Sequence, residues 1–340
     1  MVNKSLLVIG IVLIAAVAGI IIAANNSQGT EEKISVIRIG STAPGHAKFI
    51  IFEQKGWMAD EFKKDGIKVE FYPFTGGGSE AMTALASGSL DFAYTGSNPA
   101  LRTAAAGADI KLIAISSFNP LTSTAIVVRN DSKIRSISDL KGKKVAYLKG
   151  TVRHAAIVKS LKKENMSIAD IESFNLNFQA SGPALIRGDI DALVESETTV
   201  YPLVSTGEAR IIISGKDNPE WSSPSAITVR GDFAKKHPDL VKRLLKVDLE
   251  TAQWSDEHFD EAITIYATAR KDKEEAVREQ FPANTFYVNP ELIDKAVRSF
   301  KDEEEFMNDN NLLDGKVNWD SWVDQSFLDS VLKEKGSNKK

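Results

Sequence analysis

Across 340 residues the chain carries 42 Lys and Arg against 46 Asp and Glu, a net charge of −4 with no basic stripe, which argues against a nucleic-acid partner. The absence of cysteine excludes disulfides, thiolate catalysis and a lipid-modified cysteine anchor. Beyond the first 33 residues about 300 remain, enough for two hydrophobic cores.

Lys4 precedes an uncharged run at residues 6–24, in which twelve of nineteen residues are Leu, Ile or Val. At about 1.5 Å per helical residue this run matches one bilayer crossing. Its insertion gains on the order of 4 to 7 kcal/mol at the usual centre-of-membrane values. We read it as an uncleaved membrane anchor (residues 1–24). The alternative is a signal peptide cut near Ala23 or Ala24, although signal cores are usually only about 7 to 15 residues long. The lone positive charge before the run puts the body on the extracytoplasmic face of the membrane, or makes it secreted or periplasmic if the helix is cleaved. Residues 25–33, rich in Asn, Ser, Gln, Gly and Thr, form a flexible linker.

From residue 34 short apolar runs alternate with helical patterns. Strands are expected at 36–40, 68–72, 90–94, 111–115, 124–129, 144–148, 191–195 and 210–214, with helices at 46–63 and 79–87 among those between them. From about residue 232 the pattern becomes mainly helical, with amphipathic stretches at 239–254, 261–269 and 290–300. This rhythm is that of an α/β protein.

An internal repeat with an offset of one hundred residues runs through the first part. Ala84, Leu85, Gly88 and Asp91 recur as Ala184, Leu185, Gly188 and Asp191, so that both copies read helix, Gly-x-x-Asp, apolar strand. His46-Ala47 and His154-Ala155 open helices after the first strand of each copy. Two similar α/β lobes are the expectation, with polar loops at strand ends where a cleft would form. Those loops lie at 41–45, 75–79, 95–98, 149–151 and 195–199. Four of the five combine hydroxyls or Gly with a helix start, which supplies free backbone N–H groups and the positive dipole end. Taken singly, each is equally an ordinary helix cap.

These residues resemble a known family. Arg38-Ile39-Gly40, Ala84-Leu85, the run 88–93 with Thr95-Gly96, the run 139–146, Lys149-Gly150-Thr151 with His154, and the run 188–192 stand in the order found in the aliphatic-sulfonate, taurine and nitrate branch of ABC-importer substrate-binding proteins. The resemblance implies a two-lobed periplasmic-binding-protein type II fold with a helical C-terminal part. Lobe 1 would comprise 34–127 and 223–340, and lobe 2, 128–222, would be inserted in it, with 124–129 and 226–229 as crossing strands. It also implies a small anionic organic ligand, most simply an alkanesulfonate or taurine, with permease and ATPase subunits as partners, a monomeric chain, and neither cofactor nor metal. Nitrate, bicarbonate and a thiamine-pyrimidine precursor are the alternative ligands.

Carried onto this chain, the family site falls on Ser41, Thr42, Thr95, Gly96, Ser97, Ser123, Thr124, Gly150, Thr151 and His154. Neutral donors of this kind suit a sulfonate, whose delocalised charge is shared by three oxygens. Arg153 is either a further charge at the site or a solvated first-turn residue, and His46 and His154 are either donors or ordinary first-turn residues. Where many relatives carry an aromatic, acidic, Pro run, this chain has Ser196-Glu197-Thr198. Glu197, with Glu195 two residues earlier, would suit an ammonium at the far end of the ligand, or form a solvated acidic loop. An enzyme on the same scaffold is the other class of function. The chain has no thiol, nucleophile elbow, zinc-helix motif, P-loop or dinucleotide fingerprint, and it is read as a binding protein.

Overall fold

In the computed structural model the described residues are 34–42, 46–118, 124–218, 221, 223–281 and 293–337. The apolar run at 6–24 and the linker at 25–33 lie outside them. Among the described residues no helix is long and apolar enough to cross a membrane.

The first run of elements is β1 (Val36–Thr42), α1 (Ala47–Gln54), α2 (Trp57–Lys63), β2 (Lys68–Phe74), α3 (Gly78–Ala86), β3 (Phe92–Gly96), α4 (Ser97–Ala105) and β4 (Ile110–Ser117). The single helix expected over 46–63 is two helices, because Gly56 between them takes φ 74°, a left-handed conformation open to glycine at little cost. The second run is β5 (Thr124–Arg129), β6 (Lys144–Tyr147), α5 (Val152–Lys163), β7 (Glu172–Asn175), α6 (Phe178–Arg187), β8 (Ala192–Ser196), α7 (Glu197–Ser205) and β9 (Ala209–Ser214). Strand β10 (Ser225–Arg230) follows.

These strands form two five-stranded sheets of one design, β2-β1-β3-β10-β4 and β7-β6-β8-β5-β9. In each, four strands follow one another through helical crossovers: β1 to β4 in the first sheet and β6 to β9 in the second. The pairings β1–β3, β6–β7 and β6–β8 are parallel, as such crossovers require. The fifth strand is antiparallel and lies between the last two of these: β10 pairs β3 with Val229 opposite Phe92 and also pairs β4, and β5 pairs β8 with Val128 opposite Ala192 and also pairs β9. The division expected after residue 127 therefore falls inside β5, whose pairing with β8 starts at Thr124. Strands β5 and β10 each belong to a single sheet. The chain passes between the sheets from Ser117 to Thr124 and returns from Ser214 to Ser225.

The repeated Gly-x-x-Asp has a structural reason. Gly88 and Gly188 both take φ 82° as their helices end, and the aspartate then ties its own strand to the first strand of the same sheet. Asp91 Oδ2 accepts from the Arg38 N–H at 2.8 Å while the Asp91 N–H donates to the Arg38 carbonyl at 2.9 Å. Asp191 does the same with Lys144, at 2.9 and 2.8 Å.

The remaining helices are α8 (Gly231–Lys236), α9 (Pro238–Glu257), α10 (Phe259–Arg270), α11 (Glu274–Gln280), α12 (Ile293–Asp309), α13 (Trp319–Trp322) and α14 (Ser326–Ser337). Most of them cover the first sheet, while α11 packs on α10 and on α7 of the second run. Phe300 and Met307 of α12 and Trp322 of α13 join Leu101, Leu112 and Ala226 in one core, and Ile263 and Tyr266 of α10 join Ile50 and Ile51 of α1 in another. Helix α1 is thus enclosed, and it buries Lys48 among Phe49, Ile50, Ile51 and Phe52. That ammonium is matched by Asp248 of α9, whose second oxygen accepts from the Tyr94 hydroxyl at 3.1 Å. A buried charge is tolerated only when paired in this way. The second sheet has its own cores on its two faces, around Ile126, Val145 and Ile157 on one and Val127, Leu185 and Leu193 on the other.

Candidate functional site

A cavity of about 200 Å³ lies between the carboxyl ends of the two sheets. Thr42 ends β1, Thr75 follows β2, Leu148 follows β6 and Glu195 lies at the end of β8, and all four line it. This is where open α/β sheets present loops to a ligand.

Four helices begin at the wall. Gly77 is the N-cap of α3, Arg153 lies in the first turn of α5, Asn177, Phe178 and Gln179 start α6, and Thr199 lies in the first turn of α7. Each presents the positive end of a helix dipole, so the wall favours negative charge, although side chains already cap two of the starts: Thr151 accepts from the Arg153 N–H and Asn177 from the Ala180 N–H.

The charged side chains in the wall are internally balanced. Arg153 Nε donates to Glu195 Oε1, and Glu195, only 5% exposed, also accepts from the Ser196 N–H at 2.7 Å. On the other side Arg270 Nε donates to Asp272 Oδ2 at 2.7 Å, and its Nη1 to the Tyr266 hydroxyl at 3.2 Å. The cavity therefore offers paired plus and minus groups side by side.

The two lobes meet closely around the cavity. A Cβ on Gly77 would run into Leu148, one on Gly150 would run into Arg102, and one on Gly96 would lie 3.5 Å from Val152 Cγ1. Three glycines thus mark where one lobe's backbone lies against the other's side chains.

Of the residues expected at a site, Thr42 and Arg153 line the cavity. Arg153 is ion-paired in the wall and not solvated. Ser41 is buried beside Thr42, and the Thr42 hydroxyl donates to the Tyr94 carbonyl at 3.3 Å. Thr95 is fully buried, and its Oγ1 has no hydrogen-bond partner among the described residues. Gly96 faces Val152, and the Ser97 hydroxyl donates to Asn98 Oδ1 at 3.2 Å. Thr124 opens β5 opposite Ser196, while Ser123 lies outside the described residues. Thr151 is the N-cap of α5; its hydroxyl accepts from the Arg153 N–H and donates to the Leu148 carbonyl at 2.7 Å, so it is committed to shaping the loop.

His46 and His154 are both held neutral. His154 accepts the Gly150 N–H on Nδ1 and stacks on Tyr147, and its pKa is lowered to about 4 by burial, with Lys149 and Arg102 adding repulsion. His46 is lowered to about 4 by burial and by Lys48. Glu197 does not line the cavity; it accepts from the Ser214 hydroxyl on β9, and Glu195 takes the place facing the space.

Thr75 and Thr199 come from the polar loops expected at 75–79 and 195–199, whereas Asn177, Phe178, Gln179, Pro202, Arg270 and Asp272 lie outside every expected site segment. The hundred-residue offset carries Gly77 onto Asn177, which is the one signal that pointed to that stretch. Arg270 and Asp272 come from the helical C-terminal part and carry no local motif.

Set beside known proteins, the chain is similar to a protein of Bacillus subtilis (strain 168) named for binding aliphatic sulfonates, with 31% identity over 317 residues, 92% of this chain and 93% of the relative. Among solved structures, the alkanesulfonate-binding protein from Xanthomonas axonopodis pv. citri, bound to MOPS, superposes with a TM-score of 0.75 at 20% identity, covering 86% of this chain and 99% of that one. A desulfurization enzyme superposes with a TM-score of 0.69 at 19% identity, covering 88% and 99%. At these identities the structures establish the two-sheet periplasmic-binding-protein-like fold. The NMT1/THI5-like sequence profile matches residues 43–262, and together with the nearly full-length Bacillus relative this shows that the chain belongs to the NMT1/THI5-like family.

Proposed function

We propose that the chain is the extracytoplasmic substrate-binding protein of an ABC importer, and that it takes a small organic anion, an alkanesulfonate or taurine, into the cavity between its two sheets. The observation that carries this reading is the convergence of four helix starts on one cavity of about 200 Å³. That is smaller than the roughly 300 to 1,000 Å³ of sites for drug-sized ligands, which suits a compact solute. The positive helix ends attract an anionic head, and the balanced Arg153–Glu195 pair gives a place where a ligand bearing both a sulfonate and an ammonium would find complementary charges. The family membership and the sulfonate-binding relative support the same assignment. The run at 6–24 would hold the protein at the membrane beside its permease and ATPase.

A thermal-shift panel of methanesulfonate, ethanesulfonate, taurine, nitrate, bicarbonate and a thiamine-pyrimidine precursor tests the ligand. A sulfonate at one hundred times its dissociation constant should stabilise the fold by about 2.7 kcal/mol. Stabilisation by nitrate, bicarbonate or the pyrimidine alone would reassign the substrate, and no response to any of the six would remove the reading. Turnover of a sulfonate by the purified protein would turn it toward the enzymatic use of the fold.

A further inference from the structure

The carboxylate of Glu303 lies outside the cavity yet joins elements of both lobes. Glu303 sits on α12, which packs in the core of the first sheet, and it is only 4% exposed. Its Oε1 accepts from Asn98 Nδ2 at 3.0 Å; its Oε2 accepts from Lys159 Nζ at 3.0 Å and from the Ser223 hydroxyl at 3.3 Å. Asn98 belongs to the first turn of α4, two residues after Gly96. Lys159 belongs to α5 of the second lobe, the helix whose first turn carries Arg153 into the cavity wall. Ser223 lies on the segment that returns the chain from the second sheet to the first.

A buried carboxylate keeps its charge only with strong donors around it, and a charge-assisted bond is about twice as strong as a neutral one. Two of Glu303's donors are fixed to its own lobe or to the returning strand. The ammonium of Lys159 arrives from the other lobe, and its Nζ also lies over the ring of Phe306, on the same helix as Glu303, 4.7 Å from the centroid. Separating the lobes would take Lys159 away and leave Glu303 with neutral donors and water. The ion pair therefore favours the closed arrangement selectively, whereas the bond to Asn98 persists in both.

We propose that Glu303 is a positioning residue that latches the lobes closed through Lys159, and that it thereby sets how long a bound solute stays in the cavity. This rests on the two-lobed binding reading above, but its test needs no ligand. The chain has no cysteine, so Gly96→Cys with Val152→Cys introduces a single pair of thiols at the point where the lobes meet. Disulfide formation requires the two Cβ atoms to come within about 4.5 Å, so the rate of cross-linking under mild oxidant, without ligand, reports how often the lobes close.

In that background Glu303→Gln and Lys159→Met should each slow cross-linking roughly tenfold, the value of one charged hydrogen bond. The double variant should be no slower than either, and Lys159→Arg should restore most of the rate. Unchanged rates in Glu303→Gln, additive effects of the two changes, or a parent pair that never cross-links would each overturn the latch. Failure of every ligand in the panel would leave these rates untouched, so the two readings fail separately.

Discussion

Arg153 and Glu195 face one cavity as a closed ion pair, although they come from different elements, the first turn of α5 and the end of β8. Glu195 is nearly buried, and that guanidinium is its charged partner in the wall. Glu195→Gln should leave Arg153 as a net cation in the wall. A plain alkanesulfonate should then bind as well or better, while taurine, whose ammonium loses its acceptor, should weaken about tenfold or more. Calorimetric titration of both ligands checks this, and equal changes for the two would show that Glu195 shapes the cavity without reading charge. Arg153→Leu should instead cost the unliganded fold about 3 kcal/mol, because it strands a buried carboxylate.

The two aspartates of the internal repeat make the same backbone bonds at unequal depth. Asp91 is 2% exposed and also receives Arg230 Nη2 at 3.0 Å, whereas Asp191 is only partly buried. Asp91→Ala should destabilise by about 3 kcal/mol and Asp191→Ala by about 1 kcal/mol, since desolvation multiplies the cost of an unpaired group. Denaturant titration of each variant reads the difference; equal losses would mean that the second copy carries the load of the first.

That repeat also marks how far the sequence could be read. The apolar run Thr124–Arg129 announces its strand because it is buried along nearly its whole length, and Ala209–Ser214, half-buried at the sheet edge, still does so through its run of three isoleucines. Strand β7, Glu-Ser-Phe-Asn, gave no such signal: it is exposed along its length and is a strand only because it hydrogen-bonds to β6 at the sheet edge. The same distinction divides the site. Thr42 and Arg153 are legible as residues after a strand and at a helix start. Arg270 and Asp272 reach the cavity through the packing of α10 on α1, a relation across more than two hundred residues that no local pattern encodes. Thr151 was legible as a cap, but its hydroxyl is spent on Leu148 and Arg153.

The neutral histidines make stability fall with acid. His46 and His154 titrate near 4 in the fold against about 6.5 in the unfolded chain, so between these values the unfolded state binds more protons. Stability is therefore complete above about pH 6.5 and declines as the pH falls toward 4. For the enclosed His46 the loss amounts to up to about 3 kcal/mol, and the half-buried His154 adds a smaller share. Melting temperatures measured from pH 7.5 to 4 should show this decline, and His46→Gln should flatten it. An unchanged slope in that variant would place the acid sensitivity on other groups.

Gly77 and Leu148 decide how closely the lobes can approach. Gly77 takes φ 94°, where an L-residue is strained by roughly 1 to 2 kcal/mol, and its missing side chain makes room for the Leu148 side chain of the opposite lobe. Gly77→Ala adds both penalties, the backbone strain in every state and the clash only when the lobes are closed. Small-angle scattering with a ligand identified in the panel should then give a larger bound radius of gyration than the parent, with affinity reduced about tenfold. Adding Leu148→Ala removes the clash but not the strain. The double variant should recover the compact bound state and most of the affinity while keeping the lower melting temperature. If Gly77→Ala closes as fully as the parent, the contact does not limit closure; if Leu148→Ala restores nothing, the whole effect belongs to the backbone of the α3 cap.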